Sequence, residues 1–252
     1  MNDIVFRYVL IAWIIIAIIV FISLFFTAAP YGRYFKRSFG PSVNGRLGWM
    51  IMETPALLVF TAFFIADIIM VTIVQITFLA MWTSHYIDRS FIYPIKFRIS
   101  LKPLPLIILI AGFGFNVINA YLNSEYIVIN ASKYSETWLY DTRFIAGLAL
   151  FILGFIVNRR SDYTLYRIRS TFRQEYSIPQ GGLYRWVSCP NYFGEIIMWT
   201  GWAISTWSPV AGAFLLWTIA NLVPRARSHH QWYQKHFVDY PYERRVIIPW
   251  IW

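Results

Sequence analysis

Charged residues and cysteines are both scarce in this chain of 252 residues. Only 13% of the residues are charged, whereas soluble domains average about a quarter. Hydrophobic residues make up 58% of the chain and aromatic residues 20%. The single cysteine, Cys189, excludes an intrachain disulfide framework and a metal centre built from several cysteines. This composition excludes an ordinary soluble domain and predicts an integral membrane protein that is solvated largely by lipid.

Several familiar binding motifs are also missing. No G-x-G-x-x-G stands between a strand and a helix, and there is no P-loop, so the sequence predicts neither a Rossmann nor a P-loop nucleotide site. The four histidines, His85, His229, His230 and His236, do not form a convincing metal cluster, so no metal is expected. Without repeats or flexible linkers, we expect one transmembrane domain over residues 1–252, and a monomer.

Seven apolar stretches approach the ~20 residues that cross a bilayer as a helix. They cover residues 4–27, 49–68, 71–91, 104–123, 142–160, 193–207 and 209–224. Asp67 marks the expected turn between the second and third stretches. The sequence therefore predicts an all-α protein with seven transmembrane helices; a re-entrant pair formed by the last two stretches would leave six. The first stretch exceeds the ~7–15 apolar residues of a signal peptide, so we expect a retained span.

The basic residues predict the orientation. Of the 22 lysines and arginines, 19 fall on the same side of the predicted membrane, and Arg7, Lys133 and Arg143 fall on the other. Basic residues concentrate on the cytosolic side of membrane proteins. This rule places the N-terminus outside and the C-terminus in the cytosol, and it accounts for the net charge of +10 without nucleic acid. We expect a bacterial inner membrane, or the endoplasmic reticulum if the source is eukaryotic.

Polar residues recur at helical spacing near the predicted cytosolic ends. Residues separated by four, eight or eleven positions share one face of a helix. The groups are Asn158, Asp162 and Arg169; Asn191 and Glu195; Arg225, His229 and Tyr233; and, singly, Glu53 and Tyr86. Surface networks or interfacial anchors would explain some of them. Glu53 and Glu195 are flanked by apolar residues, however, which predicts a polar cavity. The residues alone indicate a membrane-embedded site for a polar, anionic cofactor or substrate.

Long motifs extend this interpretation. "GRLGWMIMETP", "HYIDRSFIYP", "SDYTLYRIR", "YSIPQGGLYRWVSCPNYFGEIIMWTGWA" and "PRARSHHQWYQKHFVDYPYERRVIIPWIW" resemble the steroid 5α-reductase family, from about Tyr31 to Trp252. The C-terminal part is also similar to enoyl-CoA reductases, polyprenol reductases and isoprenylcysteine methyltransferases, but the Glu53 and Tyr86 motifs favour the steroid reductases. The resemblance implies a seven-helix membrane domain that holds NADPH in a cavity open to the cytosol and reduces the C4=C5 bond of 3-oxo-Δ4 steroids.

The resemblance also implies roles for individual residues. Glu53 and Tyr86 would engage the 3-keto oxygen of a steroid that enters from lipid. The implied cofactor lining comprises Asn158, Asp162, Arg169, Tyr176, Asn191, Glu195, Arg225, His229 and Tyr233, with Trp49 and Tyr31 as further contributors. Asn191 and Glu195 would face the nicotinamide end of the cofactor. Met52 departs from the mammalian pattern, in which a glutamine precedes the glutamate.

Three alternatives stay open. The first is a related reductase that acts on a polyprenol or an enoyl thioester. The second is an S-adenosylmethionine-dependent methyltransferase, and the third is a non-catalytic heptahelical receptor or sterol-binding protein. A retinal protein is excluded, because the last stretch has no lysine for a Schiff base.

Overall fold

The computed structural model describes residues 3–66, 72–96, 102–172 and 176–252. The α-helices are α1 (Asp3–Phe26), α2 (Gly45–Ala66), α3 (Ile73–Ile87), α4 (Tyr93–Lys96), α5 (Leu106–Ile129), α6 (Thr142–Phe172), α7 (Pro190–Thr206) and α8 (Pro209–His236). A π-helical turn, Asp88–Ile92, joins α3 to α4. Two short strands, β1 (Ser42–Val43) and β2 (Leu104–Pro105), pair antiparallel. Asp67, where we expected a turn, lies outside the described residues.

Four of the described helices are long and apolar enough to cross a membrane. They are Ile4–Phe26, Gly45–Ala66, Leu106–Ile129 and Thr142–Ile168. The other three predicted stretches are also helical where they are described, as α3, α7 and the first half of α8. Two helices extend beyond the predicted spans, α6 to Phe172 and α8 to His236, as the helical spacing of the polar residues there indicates. The mainly helical membrane character is thus confirmed, while seven spans and their orientation stay predictions.

The chain divides into two compact units. The terminal unit comprises Met1–Ala28, Ala146–Ile204 and Ala211–Trp252, and the central unit comprises Ala29–Ile145 and Ser205–Val210. That the whole chain acts as one domain stays a prediction. Each unit contains some of the residues that the sequence singled out.

In the central unit, α2 packs against α5 around a proline. Pro55 lies inside α2 and has no N–H to donate to the preceding turn. Two carbonyls close to Pro55 also accept side-chain donors: Nδ2 of Asn116 on α5 lies 2.7 Å from the Met52 oxygen, and Nε1 of Trp82 on α3 lies 2.9 Å from the Ala56 oxygen. These bonds connect α2 to α5 and to α3, and they fix the turn of α2 that contains Glu53.

Helix α3 runs antiparallel to α2. It begins with a capping box formed by Thr72 and Gln75. Further along, the Trp82 ring stacks on Phe60 with 4.4 Å between centroids, and the Arg89 guanidinium lies 5.3 Å from the Trp49 ring. Later residues of α3 therefore meet earlier residues of α2. The C-terminal half of α3 and the N-terminal half of α2 lie at the same end of the pair.

The turn between α7 and α8 is held within the central unit. Trp207 has a φ of 46°, a left-handed conformation that ends α7. The last carbonyls accept hydrogen bonds from side chains: Lys133 Nζ lies 2.8 Å from the Trp207 oxygen, Tyr134 Oη 2.8 Å from the Thr206 oxygen, and Trp138 Nε1 2.9 Å from the Ser205 oxygen. These donors satisfy the helix end where the apolar sequence is interrupted.

In the terminal unit, α6 and α7 pack with their backbones in contact. A Cβ atom added at Gly154 would overlap the Met198 backbone, and one added at Gly194 would overlap the backbone nitrogen of Asn158. Small residues allow helices in membrane proteins to approach this closely. Gly154, the earlier residue on α6, lies against Met198, whereas Asn158, the later one, lies against Gly194. The helices α6 and α7 are therefore antiparallel.

Candidate active site

Four predicted cofactor residues meet at the contact between α6 and α7. Asn158 and Asp162 lie one turn apart on α6, and each is only 3% exposed. The Nδ2 atom of Asn158 lies 2.9 Å from the Asn191 carbonyl and 3.4 Å from Glu195 Oε2. The Nδ2 atom of Asn191 lies 3.1 Å from Asp162 Oδ1. The spacing in the sequence therefore brings these side chains together, and they support each other across the helix pair.

Gly194 explains how such short side chains reach across two helices. It lies between Asn191 and Glu195 on α7, directly against the Asn158 backbone. Any larger residue would push α7 away and lengthen these hydrogen bonds. Gly194 lies inside the "PNYFGE" motif, but the motif alone did not indicate its role.

Tyr192 is a site residue that the sequence analysis missed. Its hydroxyl accepts a hydrogen bond from Arg225 Nε at 3.1 Å and lies 3.3 Å from His229 Nε2. Because successive helical residues differ by about 100° in direction, Tyr192 contacts α8 while Asn191 and Glu195 contact α6. Arg225 and His229 therefore meet at the phenol of Tyr192, which follows Asn191 on α7. Tyr192 is one of 17 tyrosines, and only its place within the motif could have indicated it.

Tyr233 and Tyr176 belong to an aromatic group further along α8. Tyr233 is 5% exposed, and its ring stacks on Tyr240 with 5.4 Å between centroids. Tyr176 lies 5.2 Å from the Trp232 ring. That these two tyrosines belong to one cofactor site with the polar residues above stays a prediction. Arg169 belongs to α6, but its side chain lies outside the described part of the structure.

The remaining four predicted residues lie in the central unit. Tyr31 contacts Trp49 at 6.5 Å between ring centroids. On α2, Glu53 is one turn after Trp49, and on α3, Tyr86 is three residues before Arg89. Since Arg89 lies over Trp49 and the two helices are antiparallel, all four residues are at the same end of this helix pair.

Tyr86 and Glu53 differ in their surroundings. Tyr86 is 3% exposed, and its ring packs against Trp82 at 4.9 Å and edge-on against His85 at 5.0 Å. Glu53 is half-buried. The Tyr86 phenol can donate a hydrogen bond to a ligand oxygen, and a carboxyl group such as that of Glu53 can do so only while it is protonated.

Arg89 and Trp49 are further candidates for ligand contact. The Arg89 guanidinium lies 5.3 and 4.5 Å from the centroids of the Trp49 and Tyr93 rings, which also contact each other. In the described residues, Nε1 of Trp49 is buried and has no hydrogen-bond partner. A buried donor of this kind is costly unless something accepts its hydrogen. Arg89 lies in the π-helical turn, a feature that often marks functional sites.

The donor set fits a nicotinamide dinucleotide. Amides and carboxylates such as Asn158 and Glu195 match the carboxamide and ribose hydroxyls of such a cofactor, and Arg225 matches its phosphates. No group of three or more histidine, cysteine, aspartate or glutamate side chains suited to a metal occurs among the described residues.

A helical membrane protein with a buried set of polar residues of this kind is typical of a membrane-embedded enzyme. Comparison with known proteins defines the class further. Residues 102–252 match the family model described as 3-oxo-5-alpha-steroid 4-dehydrogenase. A steroid 5-alpha-reductase DET2 from Gossypium hirsutum is 37% identical over 254 residues, which covers 99% of this chain and 98% of that protein.

Mammalian proteins are nearly as similar. The 3-oxo-5-alpha-steroid 4-dehydrogenase 1 of Mus musculus is 34% identical over 94% of this chain and 92% of its own length. The enzyme of the same name from Homo sapiens is 35% identical over 89% of this chain and 87% of its own length. The chain therefore belongs to the steroid 5α-reductase family and is an oxidoreductase. The resemblance drawn from the motifs is confirmed.

Proposed function

We propose that the protein reduces the C4=C5 double bond of 3-oxo-Δ4 steroids to 5α-reduced 3-oxo steroids, with NADPH as the cofactor. Family membership over nearly the whole chain supports the reaction class. The observation that carries the proposal is the position of Glu53 and Tyr86 at the same end of two antiparallel helices. Two acidic O–H groups there can act on one ketone oxygen.

The chemistry explains why this pair is needed. A C=C bond conjugated to a ketone accepts hydride at its β-carbon, C5, if the developing enolate oxygen is stabilised. Hydrogen-bond donors aimed at that oxygen supply this stabilisation. Tyr86 donates a hydrogen bond through its phenolic O–H, and Glu53 does so while it is protonated. A proton then adds to C4 as the enolate returns to the ketone, which completes the reduction. The rings of Trp82 and His85 fix the direction of the Tyr86 side chain, so little reorganisation is needed during the reaction.

The terminal unit contains most of the residues that we assign to the cofactor. A bound nicotinamide supplies the hydride that adds to C5. Asn191 and Glu195 orient the carboxamide and ribose, while Asn158 and Asp162 hold these two side chains in place. Arg225, together with Arg169, provides positive charge for the 2′-phosphate, which favours NADPH over NADH.

The membrane character of the protein suggests how its two ligands reach it. We propose that the steroid, which is almost entirely apolar, enters from the lipid, and that NADPH enters from the cytosol. The protein acts as a monomer in a bacterial inner membrane, or in the endoplasmic reticulum of a eukaryote. The basic residues on the predicted cytosolic side support this orientation.

Cofactor identity tests the proposal against its alternatives. The protein is purified in detergent, and the bound small molecules are released and identified by mass spectrometry. NADP(H) supports a reductase, and exchange into NADPH-containing buffer should restore any cofactor lost. S-adenosylmethionine would instead support a methyltransferase. If NADP(H) does not bind after addition at millimolar concentration, the proposed NADPH-dependent reaction is wrong.

A further inference from the structure

A hydrogen-bonded cluster lies beside the predicted cofactor residues of the terminal unit. Ser188, just before α7, places its hydroxyl 2.6 Å from Nδ1 of His230 and 2.6 Å from Oη of Tyr240. The same hydroxyl lies 3.1 Å from the carbonyl of Arg245, which also accepts the Ser188 N–H at 2.9 Å. Ser188 is 4% exposed and Tyr240 8%. The cluster joins the start of α7, the middle of α8 and the C-terminal segment.

The cluster does not fit a nucleophile. A serine next to a histidine can serve as an activated nucleophile when its oxygen is open to a substrate. A serine hydroxyl, however, has one donor and two acceptor positions. The three partners of Ser188 use this capacity, and the side chain is buried. The chemistry available to Ser188 is therefore to hold its partners in place.

Each member of the cluster is either close in sequence to a residue that we assign to the cofactor or in contact with one. Ser188 is three residues before Asn191, and His230 follows His229. The Tyr240 ring stacks on Tyr233 with an interplanar angle of 7°. Tyr240 thus contacts both neighbours on α8, because its ring also meets His230 edge-on at 5.8 Å.

Arg244 fixes the Tyr240 ring further. Its guanidinium lies 5.4 Å from the Tyr240 centroid, and Nη2 donates to Gln180 Oε1 at 3.1 Å. Arg244 is 3% exposed. A buried cation over the ring restricts the movement of Tyr240, so the phenol is held from the ring face as well as through its hydroxyl.

We propose that Tyr240 is a positioning residue, which holds Tyr233 and His229 on α8, and through Ser188 the start of α7, in the arrangement that binds the nicotinamide cofactor. The inference rests on the proposed function. If the binding arrangement is only partly populated, the apparent dissociation constant rises in proportion. Loss of the Tyr240 hydroxyl should therefore weaken cofactor binding more than it affects the chemical step.

The test compares Tyr240→Phe with Tyr242→Phe in the full-length protein in detergent. Both variants lose one phenolic hydroxyl, but Tyr242 is 84% exposed. We expect Tyr240→Phe to raise the Kd for NADPH roughly fivefold to tenfold, the scale of one neutral hydrogen bond. At saturating NADPH, kcat should change less than about twofold, and Tyr242→Phe should match the wild type in both.

Ser188 provides a second, independent variant. Ser188→Ala should raise the Kd for NADPH by a similar factor, and Ser188→Thr should restore most of the affinity, because threonine keeps the hydroxyl. The double variant Ser188→Ala/Tyr240→Phe should bind NADPH no more weakly than the single variant with the lower affinity, since both substitutions remove the same interaction.

Two results would overturn the inference. Variants that unfold at lower temperature but bind NADPH like the wild type would make the cluster a purely structural element. Failure of both Tyr240→Phe and Ser188→Ala to fold would do the same. If instead the wild-type protein does not bind NADPH, the proposed function itself is wrong, which is a different outcome.

Discussion

Tyr86 is the residue at which the proposed chemistry can be tested most selectively. Tyr86→Phe keeps the ring that packs on Trp82 and removes only the donor. We expect kcat to fall roughly 10²–10³-fold, the scale for one donor to a developing oxyanion, with the Kd for NADPH nearly unchanged. Single-turnover oxidation of NADPH with a 3-oxo-Δ4 steroid measures the loss of rate. Titration with the cofactor measures the Kd for NADPH.

Two results for Tyr86→Phe would contradict its proposed role, and each would have a different meaning. Wild-type turnover in Tyr86→Phe would remove the phenol from the mechanism and leave it as an interfacial aromatic residue. Loss of NADPH binding would place it in the cofactor site or in the fold. Glu53→Gln adds detail: it should exceed Glu53→Ala in activity if Glu53 only donates a hydrogen bond, and should be as inactive if Glu53 must transfer a proton.

Glu195 and Asn191 are expected to act on cofactor binding. Replacing either residue by alanine should weaken NADPH binding tenfold to a hundredfold, because one charge-assisted hydrogen bond contributes about 1.5–3 kcal/mol. Each also has a partner on α6, so the same variants lose part of the contact with Asn158 or Asp162. Isothermal titration separates the two effects when it is combined with thermal unfolding. Normal NADPH affinity in both variants would make these residues structural.

At the scale of elements, the contact between α6 and α7 predicts opposite effects for two similar substitutions. Gly194→Ala puts a Cβ into the Asn158 backbone, whereas Gly212, on α8, has no atom within 4 Å of an added Cβ. We expect Gly194→Ala to lower the free energy of unfolding by about 1–3 kcal/mol. Gly212→Ala should raise it by roughly 0.5–1 kcal/mol, because alanine favours the helix.

Thermal unfolding in detergent tests this pair. A lower unfolding temperature for Gly194→Ala and an equal or higher one for Gly212→Ala would confirm the close packing. Equal behaviour of the two variants would contradict it. Gly194→Ala should also weaken NADPH binding, since it separates Asn158 from Glu195.

Helix α8 is expected to make stability depend on pH. Burial lowers the pKa of His230 below its ordinary value of 6.5. The unfolded chain then binds more protons than the folded one as the pH falls through that value, so the folded state loses stability toward acid. We expect His230→Gln to reduce this loss, and His236→Gln, at the exposed end of α8, to leave it unchanged. An identical pH profile of unfolding for the wild type and His230→Gln would contradict the expectation.

At the scale of the whole molecule, the sequence predicts local patterns better than their tertiary partners. The i, i+4 spacing of Asn158 and Asp162 and of Asn191 and Glu195 was enough to place each pair on one face. The apolar stretches located the helices, but apolarity ends where the membrane ends, whereas α8 continues through charged residues to His236. Hydropathy alone therefore could not predict the length of that helix.

The contacts that the sequence did not reveal depend on folding in three dimensions. Tyr192 and Tyr240 are two of 17 tyrosines, and nothing in their local spacing separates them from aromatic residues of the membrane interface. Their roles come from Arg225, which approaches Tyr192 across 33 positions, and from Ser188, which approaches Tyr240 across 52. Gly194 is similar, because only the partner helix shows why a side chain is excluded there.

One measurement tests the central claim most directly. The detergent-purified protein is incubated with a 3-oxo-Δ4 steroid and NADPH that is deuterated at the transferable position of the nicotinamide, and the product is analysed by mass spectrometry and NMR. The account predicts a 5α-reduced 3-oxo steroid with one deuterium at C5, and little product with NADH in place of NADPH at subsaturating concentration. An unchanged steroid in the presence of bound NADPH, or deuterium at any other carbon, would contradict it.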